Sequence, residues 1–355
     1  MKRLVRNAAL AAVGFGIGLA LEEKLIGSLY RINPDAVKVL SSIHTEPVRI
    51  VANDGASLYA EIDDESEAAD DLTVIFCHGY GLDLDCWHYQ RAALQSKARL
   101  VLYDQRSHGG SEQTPRASNT IDQLGEDLAT VIDKAGGDGP IVLVGHSMGG
   151  MTIMSLAASH PELFTSGRIA GVALLATTDA GLDQGDFGLP PSVAKSVHRH
   201  ADATMTRALE QADRINRVRS RSSDLSLWLV KRYSFGSPDV SDYTAFTAQM
   251  LNSASMDTVA DFLLTLEAHD KSAALATFAN TPVSLVMGSS DLLTPPQLYA
   301  EQMTRMMPHA KYTLLPDTGH MLMLERADVV TGILSELLDT VRGINPETHG
   351  FPEND

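Results

Sequence analysis

The residues best placed to do chemistry lie in Gly145-His146-Ser147-Met148-Gly149-Gly150, after the apolar run Ile141-Val142-Leu143-Val144 and before the mostly apolar residues 151–158. A buried strand that stops at Gly-x-Ser-x-Gly and runs straight into a helix puts the serine on a sharp, strained turn with its hydroxyl exposed. The flanking glycines leave room for that turn and for close packing of helix on strand. Small-residue loops match the pattern by chance, so the strand before it and the helix after it carry the reading of Ser147 as a nucleophile. Such a serine needs a base to take its proton and a carboxylate to orient the base.

Both stand downstream, in the order that a strand–elbow–helix context calls for: Ser, then Asp or Glu, then His. Gly288-Ser289-Ser290-Asp291 puts an acid just past the strand pattern of residues 282–288, and Leu315-Pro316-Asp317-Thr318-Gly319-His320 puts a histidine in the loop after the next strand. Ligand sites in open α/β sheets lie outside the carboxyl ends of the strands, so Ser147, Asp291 and His320 are expected to converge on one edge. Blander roles compete for several residues. Asp179, after the apolar run 169–176, is a rival acid, and Asp291 would also serve as a cap for the helix starting near Pro295. Asp317 reads as a turn residue, His146 as a packing or hydrogen-bonding group, and His78 as a brace for its own loop. His198-Arg199-His200 has too few companion ligands for a metal site, and Arg214, Arg217, Arg219 and Arg221 read as a solvated helix face rather than an anion site.

The elements that must position these residues follow from periodicity. Residues 48–51 and 57–62, around Asn53-Asp54-Gly55, predict a hairpin. Apolar runs at 72–77, 99–103, 141–144, 169–176, 282–288 and 311–315 predict buried strands, and helices are expected near 87–96, 120–134, 151–158, 296–307 and 327–341. Thr120 is the cap of the second of these, whose Ile121, Leu124, Leu128 and Ile132 recur at helical spacing. Buried strands alternating with amphipathic helices imply a mainly parallel sheet covered on both faces. From 181 to 280 the pattern is helical only (191–218, 225–233, 242–251 and 256–269), which reads as a cap inserted over the site. Its Leu227, Trp228, Leu229, Phe235, Phe246, Met250, Phe262 and Leu263 favour an apolar substrate weakly, since some must pack in any case.

At this point the chain resembles the α/β-hydrolase superfamily, in its serine esterase and monoglyceride-lipase-like branch. The resemblance is carried by His78-Gly79-Tyr80-Gly81, which looks like an oxyanion loop, by Asp104-Gln105-Arg106-Ser107-His108-Gly109-Gly110-Ser111, which looks like Asp-x-Arg-x-x-Gly-x-Ser, and by the serine elbow. It covers residues 48–341 and implies an α/β-hydrolase fold, with Ser147 as nucleophile, His320 as base and Asp291 as its partner. It further implies that the backbone N–H groups of Tyr80 and Met148 form the oxyanion hole. Ser107 departs from the glycine usual at that position, in a structural loop away from the proposed triad.

The expected organisation is a signal or membrane-anchor segment at 1–30, a first core part at 46–180, the helical cap at 181–280, a second core part at 281–343 and a polar tail at 344–355. Lys2, Arg3 and Arg6 precede the uncharged run 8–21, which is short of the roughly 20 residues that span a bilayer. An uncleaved anchor, a cleaved signal and an ordinary amphipathic helix all fit that segment. Membrane attachment or export is the favoured expectation, with the body outside; a cytoplasmic location also fits.

The net charge of −17 over 355 residues opposes nucleic acid as a partner. The two cysteines, Cys77 and Cys86, imply neither a disulfide framework nor a four-ligand zinc site, and nothing calls for a cofactor or metal. The expected function is hydrolysis of a carboxylic ester, lipid-like or otherwise apolar, through an acyl-enzyme. Thioesterase, lactonase, C–C hydrolase and cofactor-free haloperoxidase activities would use the same residues, whereas dehalogenases and epoxide hydrolases need a carboxylate nucleophile. A non-catalytic binding protein on this fold is the reading from another class. Acyl length and oligomeric state stay open.

Overall fold

Runs of Val, Ile and Leu with no polar alternation belong to strands covered on both faces, and they form the centre of one eight-stranded sheet in the computed structural model, which describes residues 32–64, 72–182 and 224–343. The strands are β1 (Pro47–Val51), β2 (Ser57–Asp63), β3 (Thr73–Cys77), β4 (Arg99–Tyr103), β5 (Ile141–His146), β6 (Ile169–Leu175), β7 (Val283–Gly288) and β8 (Lys311–Leu315). Their spatial order is β1-β2-β4-β3-β5-β6-β7-β8. β3 to β8 run parallel, and the β1–β2 hairpin adds an antiparallel edge against β4. The hairpin turn is the expected one: Gly55 sits at φ 92°, and the amide of Ala52 donates to the Ala56 carbonyl at 2.8 Å.

Alternate residues of the central strands feed two cores. Ile75, Cys77, Val101, Tyr103, Ile141 and Leu143 face one layer, with Leu128, Val131, Ile153 and Met154 from helices α3 (Ile121–Ala135) and α4 (Met148–Ser159). Val74, Phe76, Leu100, Leu102, Val142 and Val144 face the other, with Leu94 of α2 (His88–Leu94) and Val330, Leu334, Leu337 and Leu338 of α11 (Ala327–Val341). Each fully buried side chain of this size is worth about 1.5–3 kcal/mol against exposure, so the two layers hold the sheet's parallel centre. As expected, Thr120 caps α3, accepting from the Gln123 amide at 3.1 Å.

The remaining helices are α1 (Pro34–Leu40), α5 (Glu162–Thr165), α6 (Asp224–Ser234), α7 (Ser241–Ser253), α8 (Met256–Glu267), α9 (Pro296–Met306) and α10 (Leu322–Glu325). Between β6 and β7 the described residues are helical, with α6, α7, α8 and a 3-10 segment at Ser272–Phe278. The expected helix over 191–218, the His198–His200 cluster and the four arginines lie outside the described residues, as do the segments 1–31 and 344–355. No helix among the described residues is long and apolar enough to cross a membrane.

Two differences have local causes. The helix expected at 87–96 begins as a 3-10 turn, Leu84–Trp87, because its three-residue repeat lets Leu84 and Trp87 eclipse and bury together. Helix α1 was not anticipated, although Asn33 followed by Pro34 is a start signal. The Asn33 side chain accepts from Asp35, and its own amide donates to Asp242 of α7 at 2.7 Å, tying α1 to the helical insertion.

Candidate active site

Every candidate residue lies just beyond the carboxyl end of a parallel strand. Tyr80 follows β3, Ser147 follows β5, Asp291 follows β7 and His320 follows β8. The register pairs Cys77 with Gly145, His146 with Leu175, and Gly288 with Leu315, so these ends come out along one edge.

Ser147 occupies the turn between β5 and α4 at φ 53°, ψ −118°, a conformation that costs a non-glycine residue about 1–3 kcal/mol. Neighbouring backbone holds it there. Its amide donates to the Leu175 carbonyl at 2.9 Å, and its carbonyl accepts from Thr177 Oγ1 at 2.7 Å. The tight approach dictates glycine two residues on: a Cβ on Gly149 would stand 1.9 Å from the Cys77 carbonyl oxygen. Met148 opens α4, so its amide has no carbonyl one turn back to bond.

Asp291 and His320 are brought together. Nδ1 of His320 donates to Oδ2 of Asp291 at 2.8 Å, and both side chains are buried. The two carboxylate oxygens divide the roles weighed from sequence. Oδ1 caps its own turn, accepting from the amides of Leu293 and Thr294, while Oδ2 takes His320 and the Thr294 hydroxyl at 2.6 Å. Burial pushes the Asp291 carboxyl up, but the facing His320 and the Thr294 donors outweigh it and hold the carboxyl below the ordinary range. With Nδ1 carrying the proton that bonds Asp291, the lone pair of His320 is left on Nε2. The rival Asp179 is engaged elsewhere, its Oδ2 accepting from Gln302 at 2.8 Å.

Two further histidines brace this edge. His146 Nε2 donates to the His320 carbonyl at 2.9 Å, and burial drives its pKa well below the ordinary value. His78 donates from Nδ1 to the Gly79 carbonyl and accepts at Nε2 from the Gln105 amide, both at 2.8 Å, which fixes the Tyr80 loop. Burial, with His108 alongside, lowers the His78 pKa to about 3, so it stays neutral. In the Asp104–Ser111 motif, Asp104 accepts from the amides of Leu84 and Gly110, and Arg106 is buried against Asp127 and Asp54. Ser107, which replaces the usual glycine, takes φ 63° and bonds Asn119 and Thr114 from its hydroxyl. Asp317 is a turn residue, at φ 48°.

Beside Ser147, Met148 and Met151 pack with Ile121, Leu124, Phe262 and Leu266, and Tyr80 and Leu182 lean on that cluster. The Tyr80 hydroxyl donates to the Val259 carbonyl of α8, so the loop after β3 is tied to the helical insertion. Among the insertion's apolar residues, Phe262 joins this cluster, whereas Phe235, Phe246 and Met250 pack into the core shared with α11, and Trp228 is half-exposed. Cys77 is buried and its thiol is pushed up to about 12 by burial, so it is chemically inert. His146 is the hydrogen-bonding group expected, though its partner was not foreseen, and Thr177 and Thr294 were not anticipated; a threonine three residues after an aspartate was the signal available for Thr294.

The sequence model of the alpha/beta hydrolase fold family matches residues 73–327, which include every residue of this site. The chain belongs to that family. The chain is 31% identical over 142 residues to 3-oxoadipate enol-lactonase 1 of Acinetobacter baylyi, across 40% of its own length and 50% of that enzyme. It is 25% identical over 275 residues to the sn-1-specific diacylglycerol lipase ABHD11 of Mus musculus, across 74% of its own chain and 80% of the relative. Several curated relatives are matched over half or less of their own length. Among solved structures, an esterase from Thermogutta terrifontis superposes with a TM-score of 0.64 at 25% identity, covering 84% of this chain and 99% of that chain.

Proposed function

We propose that this hydrolase cleaves a carboxylic ester through an acyl-enzyme, with Ser147 as nucleophile, His320 as general base and acid, and Asp291 holding the imidazole. The observation that carries the reading is the 2.8 Å bond from His320 to Asp291, beyond the same sheet edge as a serine held at φ 53°. Ser147 Oγ attacks the ester carbonyl carbon while His320 Nε2 takes its proton. The amides of Tyr80 and Met148 receive the developing oxyanion, an effect worth about 2.7–4 kcal/mol per donor. His320 then protonates the leaving alcohol. A water molecule, deprotonated by His320, releases the acid and restores Ser147.

The apolar cluster of Met148, Met151 and Phe262 beside Ser147 weakly supports an apolar acyl group, and in this reading the helical insertion serves as the cap. The same residues would open a lactone, and the likeness to an enol-lactonase makes that the second reading. Residues 1–30 would attach the enzyme to a membrane or export it.

The test is turnover of p-nitrophenyl esters of graded chain length, with a lactone and a thioester arm. Ser147→Ala should abolish all activity and all labelling by a fluorophosphonate; activity retained in that variant ends the proposal. Fractionating cells that express the full chain, and a chain starting at Leu25, tests the role of the first segment.

A further inference from the structure

The loop carrying His320 is fastened to the helical insertion through one carboxylate. Glu325, the last residue of α10, accepts from the Gly319 amide at 2.8 Å through Oε2. It also accepts from the amides of Gly236 and Ser237, in the turn that follows α6. Three backbone N–H groups from segments more than 80 residues apart thus share one anion. Hydrogen bonds to a charged acceptor are stronger than those between neutral pairs.

Further contacts close the seam on either side of His320. The Met321 amide donates to the carbonyl of Ser234, the last residue of α6, and Ser237 Oγ donates to the Asp317 carbonyl at 3.2 Å. A Cβ on Gly236 would stand 2.8 Å from the Thr318 carbonyl carbon and 2.9 Å from the Gly319 nitrogen. The Ser290 amide donates to the Thr318 carbonyl, joining the Asp291 loop to the same seam.

We propose that Glu325 is a positioning residue that holds His320 in register with Asp291 by binding the His320 loop and the turn after α6 to one carboxylate. The proposal rests on the reading of His320 as the base. The seam matters for rate because, of the residues flanking His320, Met321 donates its amide to Ser234 of the insertion and Gly319 donates its own to Glu325, which also holds the insertion's turn. The imidazole is therefore placed by the insertion as much as by β8.

Full-length wild type, Glu325→Gln and Gly236→Ala are titrated with a fluorophosphonate and assayed with a p-nitrophenyl ester, with Glu336→Gln, a surface carboxylate paired with Lys311, as control. Glutamine keeps the size of Glu325 but replaces one acceptor oxygen by a donor; alanine at 236 forces the seam apart with the charge intact. Both variants should titrate one site per chain, yet label and turn over on the order of ten- to a hundredfold more slowly, as small misplacements of catalytic groups do. KM should stay near the wild-type value and the control should match wild type. Unchanged rates overturn the proposal, as does a drop in titratable sites with full rate per site, or failure of both variants to fold, since these outcomes leave the seam a purely structural role. A wild type that the probe does not label overturns the serine reading itself.

Discussion

His146, the residue before the candidate nucleophile, donates its Nε2 proton to the carbonyl of His320 at 2.9 Å, so the elbow and the candidate base are joined through a backbone carbonyl. Burial pushes the His146 pKa well below its ordinary value, which favours the neutral imidazole that donates from Nε2. His146→Leu leaves a buried carbonyl without its donor, at a cost of about 1–3 kcal/mol. Expected are that loss in denaturant titration and a kcat lowered about tenfold, as expected when a base loses its orientation.

The choice of acid is testable by a pair of substitutions. Asp291→Asn keeps the shape but removes the charge that fixes the His320 tautomer, and kcat should fall on the order of a thousandfold or more. Asp179→Asn disturbs only the bond to Gln302, so kcat per titrated site should stay at the wild-type level. Steady-state kinetics with one ester decides between them.

Stability should peak near neutrality and fall on both sides. Burial lowers the folded pKa of His78 to about 3 and of His108 and His269 to about 4, and puts His146 well below 6.5. Below pH 6.5 the unfolded chain therefore binds protons that the folded chain refuses, and stability drops as pH falls. Burial raises Asp104 to about 8 and Asp83 to about 7. Those protons are held by the folded chain and released by the unfolded one, so stability drops as pH climbs from about 4 through 8. The raised Asp85, Asp127 and Asp261 and the raised His44 and His160 act in the same sense as these two carboxylates, so they share the loss as pH rises. Thermal melts across pH 4.5–9 should show Tm falling on both sides of neutrality.

Two glycine-to-alanine changes should act in opposite directions. At Gly149 the new methyl meets the Cys77 carbonyl oxygen at 1.9 Å, backbone against backbone, and a loss above about 4 kcal/mol, or no soluble protein, is expected. Gly332 lies in α11 with nothing within 4 Å of a new Cβ, so alanine should stabilise by about 0.5–1 kcal/mol. Chemical denaturation of the two variants checks both signs.

Ser147 was legible because its surroundings are local: β5, the turn and α4 are consecutive, and glycines at 145 and 149 announce the close packing. The strands were legible because burial on both faces leaves unbroken apolar runs. Asp291 was favoured over Asp179 from sequence although both follow strand ends, and the partners His320 and Gln302 set them apart in the fold. Thr294, Glu325 and the carbonyl partner of His146 were hidden. Glu325 and His146 act on backbone that folding delivers from elsewhere, which leaves no periodicity to read, whereas Thr294 acts on Asp291 only three residues away. Tyr80 had been singled out for its amide alone, yet its hydroxyl reaches α8.

The bond between His146 and His320 spans 174 residues of chain. During synthesis β5, the elbow and α4 are made long before β8 and the loop beyond it leave the ribosome. A nascent chain thus exposes a serine for many seconds, at synthesis rates of about 5–20 residues per second, with no base beside it. Under the proposed mechanism reactivity arrives only with the last helices, so fragments that end before Gly319 should be inert.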